Sequence, residues 1–278
     1  MIDFDKIWVE KYRPTTLDDI ILDERTLKQV KEFKEEIPNL LFVGNPGTGK
    51  TTLARIIVND VLGCNYLYIN ASDESGIDTI RHSITNFAQT KSFDGKVKVV
   101  ILDEADGLTT QAQSALRNTM ETYAKYCRFI LTANYKHKII PALQSRCQAL
   151  DIKPVVELAV KRCYNILKDE KITVPEEQKK KFVQLVKRHF PDLRKTINEL
   201  QKNIIDSELC IVSVTGDNEL LEAVYKKIAS KNSLEARRYL IENEDRFQGD
   251  YDTLLGNYLN FIYTANIEDL KKKEMIAI

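Results

Sequence analysis

The stretch that decides the fold runs from Leu40 to Thr51 and reads Leu-Leu-Phe-Val-Gly-Asn-Pro-Gly-Thr-Gly-Lys-Thr. Residues 44–51 match the pattern G-x-x-x-x-G-K-[ST]. An apolar run precedes this pattern and an amphipathic stretch follows from Thr52, so the sequence predicts a strand, a loop and a helix in that order. The glycines let consecutive backbone N–H groups face an anion, and the following helix directs its positive end to the same point. The stretch therefore predicts a loop that binds the phosphates of a nucleoside triphosphate.

The side chains of this loop suit both the phosphates and a metal ion. Lys50 is expected to reach the β- and γ-phosphates, and the hydroxyl of Thr51 is expected to ligate Mg²⁺. The residues of the segment that are predicted to contact the nucleotide are Gly44, Asn45, Pro46, Gly47, Thr48, Gly49, Lys50, Thr51 and Thr52.

Length and composition restrict the possible classes of protein. The chain has 278 residues, of which 43% are hydrophobic, enough for one or two domains with apolar cores. No apolar run approaches about 18 residues, and residues 1–10 lack the apolar core of a signal peptide. The five cysteines are scattered, odd in number and form no Cys-x-x-Cys pair, which argues against a disulfide framework and a zinc site. We expect a soluble protein that stays in the cytoplasm.

The overall charge excludes bulk attraction to nucleic acid. The 41 basic and 41 acidic residues give a formal net charge of zero. Any contact with nucleic acid must therefore come from a local basic patch.

The hydrophobic pattern changes near residue 151. Before it, β-type apolar runs alternate with helical periodicity, which is typical of a parallel sheet flanked by helices. The predicted strands are Leu40–Val43, Tyr66–Asn70, Val97–Asp103 and Arg128–Asn134, with helices over Ile77–Phe87 and Ala112–Met120. Six helical segments are predicted after it: Val156–Lys168, Glu176–Lys187, Leu193–Ile205, Glu219–Ser230, Leu234–Glu242 and Tyr251–Tyr263. The fold class is α/β, with a helical second half.

Two of the predicted strands end in polar side chains. Asp103 and Glu104 end one strand, and Thr132-Ala133-Asn134 ends the next. Because ligands bind at the carboxyl ends of parallel strands, we expect these groups beside the phosphate loop. Asp103 would hold the Mg²⁺ shell, Glu104 would orient or deprotonate the attacking water, and Asn134 would sense the γ-phosphate or position water. Taken alone, each could also be an ordinary strand exit or turn residue.

Four motifs in this order resemble the AAA+ clamp-loader ATPases. They are the phosphate loop, Asp103–Asp106, Thr132–Asn134 and the Ser-Arg-Cys tripeptide at Ser145–Cys147, which is the most selective. Glu10–Pro14, which reads Glu-Lys-Tyr-Arg-Pro, is similar to the family's N-terminal segment beside the adenine. The resemblance implies an AAA+ P-loop domain, ATP and Mg²⁺ as cofactors, and contacts from Val9, Tyr12 and Arg13 to the nucleotide.

The resemblance covers residues 7–265 and is strongest to the small, ATP-hydrolysing subunit. This group comprises the replication factor C small subunits of archaea and eukaryotes and the equivalent subunit of T4-type phages. Phe190–Ile197 and Lys91–Gly95 favour the phage version. The implied activity is ATP hydrolysis that drives a ring of subunits to open a sliding clamp and place it on primer–template DNA.

Two arginines gain roles only from the resemblance. Arg194 matches the second sensor, which contacts the phosphates in the same subunit, and Arg146 matches the arginine finger, which acts on the ATP of the neighbouring subunit. A guanidinium is always charged and stabilises charge on the transferred phosphoryl group, so both roles are chemically sound. Taken singly, either arginine would more often form a surface salt bridge, and it is the ordered set of motifs that favours the functional roles.

The resemblance also implies DNA contacts. Ser72–Arg81 is similar to the family segment that opens a helix along the template backbone, which implies that Thr79 and Arg81 lie near phosphates. The resemblance implies that Gln113 and Arg117 couple DNA binding to the ATP site. It also implies that Arg117 itself binds DNA. An exposed arginine such as Arg81 could equally be a solvated surface charge.

The implied domains are an AAA+ nucleotide-binding domain over residues 1–152, a helical lid over 153–215 and a helical collar over 216–278. Family members usually carry a further pair of collar helices, whereas this sequence ends at Lys271–Ile278. Either the collar is shortened or the sequence is incomplete, which leaves pentamer formation open.

Two other classes of function stay open at this point. Asp-Glu-Ala-Asp also occurs in helicases and branch-migration motors, but a helicase of that kind needs a second nucleotide-type domain, for which the helical second half leaves no room. A non-catalytic scaffold that only binds ATP would be expected to lack Lys50, Glu104 or Arg146, and all three are present.

Overall fold

A computed structural model describes residues 7–34, 36–72, 77–90, 96–211, 216–230, 232–244 and 251–264. The chain divides into two compact units, residues 1–211 and 212–278. Among the described residues, no helix has the length and apolar character needed to cross a membrane.

A parallel five-stranded sheet organises the first unit. Its spatial order is β2-β3-β4-β1-β5, and its strands are β1 (Leu40–Val43), β2 (Tyr66–Asn70), β3 (Lys98–Asp103), β4 (Cys127–Ala133) and β5 (Gln148–Asp151). Every residue of β3 is buried, as expected for a central strand that helices cover on both faces. Asn70 pairs with Asp103 and Val43 with Ala133, so the carboxyl ends of these strands reach the same edge.

Helices cover both faces of the sheet. They are α2 (Glu24–Glu32), α3 (Lys50–Ile56, continued by a π-helical turn to Val61), α4 (Ile77–Gln89), α5 (Thr110–Thr122) and α6 (Pro141–Gln144), and a short helix, α1 (Trp8–Lys11), precedes them in the chain. Leu41 of β1 packs in the core layer formed with α4 and α5, whereas Leu40 and Phe42 pack in the opposite layer with α2 and α3. This alternation is the period-two burial of a strand between two layers.

Three helices and a small hairpin complete the first unit. They are α7 (Val156–Asp169), α8 (Glu176–His189), α9 (Leu193–Lys202), β6 (Ile204–Ile205) and β7 (Glu208–Leu209). Their shared core includes Phe182, Val186 and Leu200, and Trp8 of α1 packs into it. The Asp192 side chain caps α9 by accepting a hydrogen bond from the backbone N–H of Lys195.

The second unit contains α10 (Gly216–Ala229), α11 (Ser233–Glu242) and α12 (Tyr251–Thr264). Its core combines Leu220, Leu221 and Val224 of α10 with Tyr258 and Ile262 of α12.

The predicted fold class is confirmed, and the four predicted strands are found with bounds that differ by one residue or none. The strand β5 was not predicted, because only one of its four side chains is buried and its sequence shows no alternation. The helix predicted over Leu193–Ile205 is wrong at its end. It stops at Lys202, and the left-handed residues Asp206 (φ 49°) and Ser207 (φ 62°) turn the chain into the β6–β7 hairpin.

Candidate nucleotide-binding site

The loop between β1 and α3 has the backbone conformation that its glycines predict. Gly47 has φ 73° and Gly49 has φ 93°, both in the left-handed region that disfavours side chains. A Cβ atom at position 47 would also collide with the Asp192 carboxylate, because the Gly47 carbonyl accepts a hydrogen bond from the N–H of Leu193 at 3.2 Å. The loop therefore lies directly against the start of α9.

Lys50 is buried at the centre of this loop, with 8% of its surface exposed. Its Nζ donates to the carbonyl oxygens of Gly44 and Asn45, both at 2.9 Å, and to Oδ1 of Asn134 at 2.8 Å. Burial lowers the pKa of the Lys50 ammonium, and nearby carboxylates, Asp103 first among them, oppose that shift. The ammonium group thus lies among oxygen acceptors that phosphate oxygens can replace.

Asp103 lies at the end of β3 and accepts hydrogen bonds from three hydroxyl groups. Its Oδ1 accepts from Thr51 at 2.7 Å and from Thr132 at 2.6 Å, and its Oδ2 accepts from Tyr68 at 2.8 Å. The Thr51 hydroxyl also lies 2.9 Å from Oδ2. Carboxylate and hydroxyl oxygens are hard ligands of the kind that Mg²⁺ takes, so Thr51 and Asp103 form a donor set that fits this ion.

Glu104 follows Asp103 but has a different environment. Its backbone is left-handed, with φ 55° and ψ 42°, and its side chain is exposed. The conformation is held by a hydrogen bond from its N–H to Oγ1 of Thr132 at 2.9 Å, and its Oε2 accepts a hydrogen bond from Ser72 at 2.6 Å. A non-glycine residue in this conformation is uncommon. Of the two carboxylates, one is buried among hydroxyls and one faces solvent water.

Asn134 reaches the loop because the chain after β4 is fixed by Asp106. Oδ2 of Asp106 accepts hydrogen bonds from the backbone N–H groups of Asn134 and Tyr135, both at 3.1 Å. This contact holds the Asn134 amide against Lys50. The last acid of the Asp-Glu-Ala-Asp motif therefore positions the predicted sensor, a role that the sequence pattern did not reveal.

One cleft brings the loop together with the other predicted nucleotide contacts. Its lining includes the predicted residues Val9, Tyr12, Arg13, Pro46, Gly47, Thr48, Gly49, Lys50, Thr51, Thr52, Asp103, Glu104, Asn134 and Arg194. Sequence reasoning did not assign several of its apolar members to the site, among them Ile20, Ile21, Cys163 and Ile197. These four come from three separate segments, so only the tertiary structure brings them together.

Beside this cleft, the N-terminal segment is hydrogen-bonded to α7 and to Glu170, the residue that follows α7. Oε1 of Glu170 accepts from Lys11 Nζ at 2.6 Å and from the Tyr12 hydroxyl at 2.8 Å. Burial, followed by the Glu170 hydrogen bond, raises the pKa of Tyr12, so its hydroxyl stays a donor. Arg162 adds a hydrogen bond from Nη2 to the Tyr12 carbonyl at 3.2 Å.

Arg146 does not line this cleft. It follows α6, and its guanidinium forms an ion pair with Glu121 of α5 and donates from Nη1 to the carbonyl of Ala142 at 2.8 Å. A third of the side chain is exposed, at 33%. The structure therefore separates Arg146 from the chain's own phosphate loop.

The predicted DNA contacts are only partly described. Thr79 and Arg81 belong to α4, but their side chains, like residues 73–76 and 91–95 and the C-terminal residues 265–278, lie outside the described part of the chain. On α5, Arg117 donates to Oδ1 of Asn118, from Nη2 at 2.8 Å. Gln113 is buried and links α5 to the chain after β4, since Nε2 donates to the Lys138 carbonyl at 2.9 Å and Oε1 accepts from the Ile140 N–H at 2.8 Å.

Two family models match the first unit of the chain. Residues 40–154 match "ATPase family associated with various cellular activities (AAA)", and residues 151–209 match "Sliding-clamp-loader large subunit, AAA+ ATPase lid domain". The boundary between the two matches falls at the end of β5, where the sheet gives way to α7.

Named relatives extend the match over almost the whole chain. The replication factor C small subunit of Archaeoglobus fulgidus is 37% identical over 289 residues, which cover 98% of this chain and 88% of that protein. The replication factor C small subunit of Methanococcus vannielii is 41% identical over 234 residues (81% and 70%), and replication factor C subunit 3 of Blastobotrys adeninivorans is 40% identical over 242 residues (84% and 69%).

Among solved structures, a variant of RuvB from Thermotoga maritima superimposes with a TM-score of 0.53 at 19% identity, covering 83% of this chain and 91% of that chain. At this identity the likeness concerns the fold alone.

Proposed function

The chain belongs to the replication factor C small-subunit family, and from that premise we propose that its cleft binds Mg²⁺-ATP and hydrolyses it with help from a neighbouring subunit. The chain is an AAA+ ATPase subunit of a sliding-clamp loader. The observation that carries the proposal is the meeting of two contacts at one edge of the sheet: Lys50 Nζ lies 2.8 Å from Asn134 Oδ1, and Thr51 Oγ1 lies 2.7 Å from Asp103 Oδ1.

The phosphates would take the place of acceptors that the chain now supplies to itself. Lys50 would exchange the carbonyl oxygens of Gly44 and Asn45 for oxygens of the β- and γ-phosphates. The Thr51 hydroxyl and the Asp103 carboxylate would hold Mg²⁺, directly or through its water shell. When bound, this ion neutralises charge on the β- and γ-phosphate oxygens.

The two groups at the strand ends would act on the attacking water. Glu104 is exposed in front of the loop, so its carboxylate can accept a proton from water once the Ser72 hydroxyl no longer occupies it. Asn134, held by Asp106, would orient that water or contact the γ-phosphate. Arg194, on the first turn of α9, would contact the phosphates from the lid side, and the N-terminal segment with Val9, Tyr12 and Arg13 would cover the adenine.

Arg146 would act in trans. Its absence from the lining of the chain's own cleft and the exposure of a third of its side chain support a contact with the ATP of a neighbouring subunit. There it would stabilise the charge that develops on the transferred phosphoryl group.

Membership of a clamp-loader complex implies other subunits as partners. We propose that the ATP-bound ring grips and opens a sliding clamp and engages primer–template DNA through the backbone phosphates, with Thr79, Arg81 and Arg117 as contacts. Hydrolysis would then release the clamp closed around DNA. The proposed domains are residues 1–152 (nucleotide-binding), 153–215 (lid) and 216–278 (collar).

Replacing the phosphate lysine tests the binding site. Lys50→Ala removes a charge-assisted contact to the phosphates, so the affinity for a fluorescent ATP analogue should fall by about 1.5–3 kcal/mol. Lys28→Ala, on the exposed face of α2, is the matched control and should bind as the wild type does. Wild-type affinity in a folded Lys50→Ala variant would show that the loop is not the binding site.

The salt dependence of DNA binding tests the proposed phosphate contacts. Arg81→Ala and Arg117→Ala should each weaken binding to primer–template of any sequence and lower the slope of log affinity against log salt by about one. Arg25→Ala, at an exposed position on α2, should leave the slope unchanged. A loss that depends on the DNA sequence, or an unchanged slope, would contradict the assignment.

A further inference from the structure

Tyr68 of β2 contacts the carboxylate at the centre of the site, although no motif includes it. Its hydroxyl donates to Oδ2 of Asp103 at 2.8 Å, and its side chain is half-buried between β3 and α3.

The three hydroxyls around Asp103 are not equivalent. Thr51 has one proton to share between both carboxylate oxygens, and its oxygen is also the group expected to face Mg²⁺. Thr132 donates to Oδ1 at 2.6 Å. Thr51 and Tyr68 both donate to Oδ2 of Asp103, and Tyr68 is the one that is not itself expected to bind Mg²⁺. With Thr132 on one oxygen and Tyr68 on the other, the carboxylate plane is fixed from both sides.

Tyr68 is itself held in place from α3. The guanidinium carbon of Arg55 lies 4.7 Å from the centre of its ring, a cation–π contact. Arg55 follows Thr51 by one helical turn, so α3 carries both the hydroxyl proposed for the metal and the group that supports Tyr68. The ring is thus fixed between the phosphate-loop helix and the strand that carries Asp103.

We propose that Tyr68 is a positioning residue for the metal site: it fixes Asp103 in the orientation that receives Mg²⁺. This inference rests on the proposed Mg²⁺-ATP site. Outer-shell partners that orient metal ligands typically change metal affinity or activity by about 10–100-fold when they are removed. The hydroxyl of Tyr68 meets that description, since it contacts Asp103 and Tyr68 is not among the residues that line the cleft.

The test compares two tyrosines of the same strand. Tyr68→Phe removes one hydroxyl group and keeps the ring, and Tyr66→Phe makes the same change two residues earlier, where the side chain is 37% exposed. The dissociation constant of a fluorescent ATP analogue is measured with Mg²⁺ and with EDTA. We expect Tyr68→Phe to keep the affinity in EDTA while the gain in affinity from Mg²⁺ falls about tenfold.

Hydrolysis provides a second readout. The Mg²⁺ concentration for half-maximal ATPase activity should rise about 10–100-fold in Tyr68→Phe, whereas the rate at saturating Mg²⁺ should recover. Tyr66→Phe should match the wild type in both assays.

The other possible outcomes would contradict either the positioning role of Tyr68 or the nucleotide site itself. An unchanged gain from Mg²⁺ in Tyr68→Phe, or an equal loss of affinity with Mg²⁺ and with EDTA, would overturn the positioning role, the second result indicating a packing defect. Failure of the wild type to bind the analogue would instead overturn the proposed nucleotide site, and the inference with it.

Discussion

Arg146→Ala subunits are expected to bind ATP as tightly as the wild type and yet hydrolyse it about 10³ to 10⁵ times more slowly in the assembled ring. The expected loss corresponds to about 4–7 kcal/mol of transition-state stabilisation. Affinity should be preserved because Arg146 lies outside its own subunit's cleft, where Glu121 and the Ala142 carbonyl hold its guanidinium. Single-turnover hydrolysis and equilibrium binding of ATP measure the two quantities separately.

The conservative variant sharpens this prediction. Arg146→Lys keeps the positive charge but loses the planar fork of donors, so we expect it to recover only a small part of the rate. Normal hydrolysis by Arg146→Ala, in rings whose assembly is confirmed by native mass spectrometry, would remove Arg146 from the mechanism.

Glu104→Gln is expected to keep the affinity for Mg²⁺-ATP while turnover falls by about 10² or more. The change replaces a proton acceptor by an amide of the same shape. Binding should survive because the proposed phosphate and metal contacts are those of Lys50, Thr51 and Asp103, and the Glu104 side chain is exposed. Rapid-quench measurement of hydrolysis, together with ATP binding, gives both values.

A matched substitution on the surface separates the effect of losing one negative charge from the effect of losing the proposed proton acceptor. Glu157→Gln, at an exposed position of α7, also removes one negative charge and should leave turnover unchanged. If Glu104→Gln hydrolyses ATP at the wild-type rate, the assignment of Glu104 to the attacking water fails, and a subunit that only binds ATP becomes the better account.

The parts of the site that could be predicted are those where chemistry follows a regular pattern. Lys50 and Thr51 lie at fixed positions in the glycine loop, and Asp103, Glu104 and Asn134 follow buried strands whose carboxyl ends meet at one edge of the sheet. Tyr68 could not be predicted in the same way, because it lies inside β2 and reaches Asp103 only through the pairing of β2 with β3. The feature that indicates a role for Tyr68 is its half-buried phenol, because a buried tyrosine hydroxyl usually has a hydrogen-bond partner.

The fold was predictable where apolar residues form a continuous run, as in β3, or recur at helical spacing, as in α5. The strand β5 presents one buried side chain, and the hairpin β6–β7 is formed by two residues on each side of a left-handed turn, so neither leaves a hydrophobic period in the sequence. The restraint of Arg146 by Glu121 joins the end of α5 to the segment after α6, and this contact is likewise a product of tertiary packing.

Family membership favours a clamp-loader subunit over a helicase. The ATP hydrolysis rates of the variants will distinguish an ATPase whose sites are shared between subunits from a scaffold that only binds ATP. The most direct measurement mixes two inactive variants. Arg146→Ala subunits keep an intact phosphate loop, and Lys50→Ala subunits keep Arg146, the proposed arginine finger, so each alone is expected to be nearly inactive. In rings that contain both, an interface between an intact loop and an intact finger should recover part of the wild-type ATPase rate. If native mass spectrometry shows mixed rings and the mixture recovers no activity, the claim that neighbouring subunits share each ATP site is contradicted.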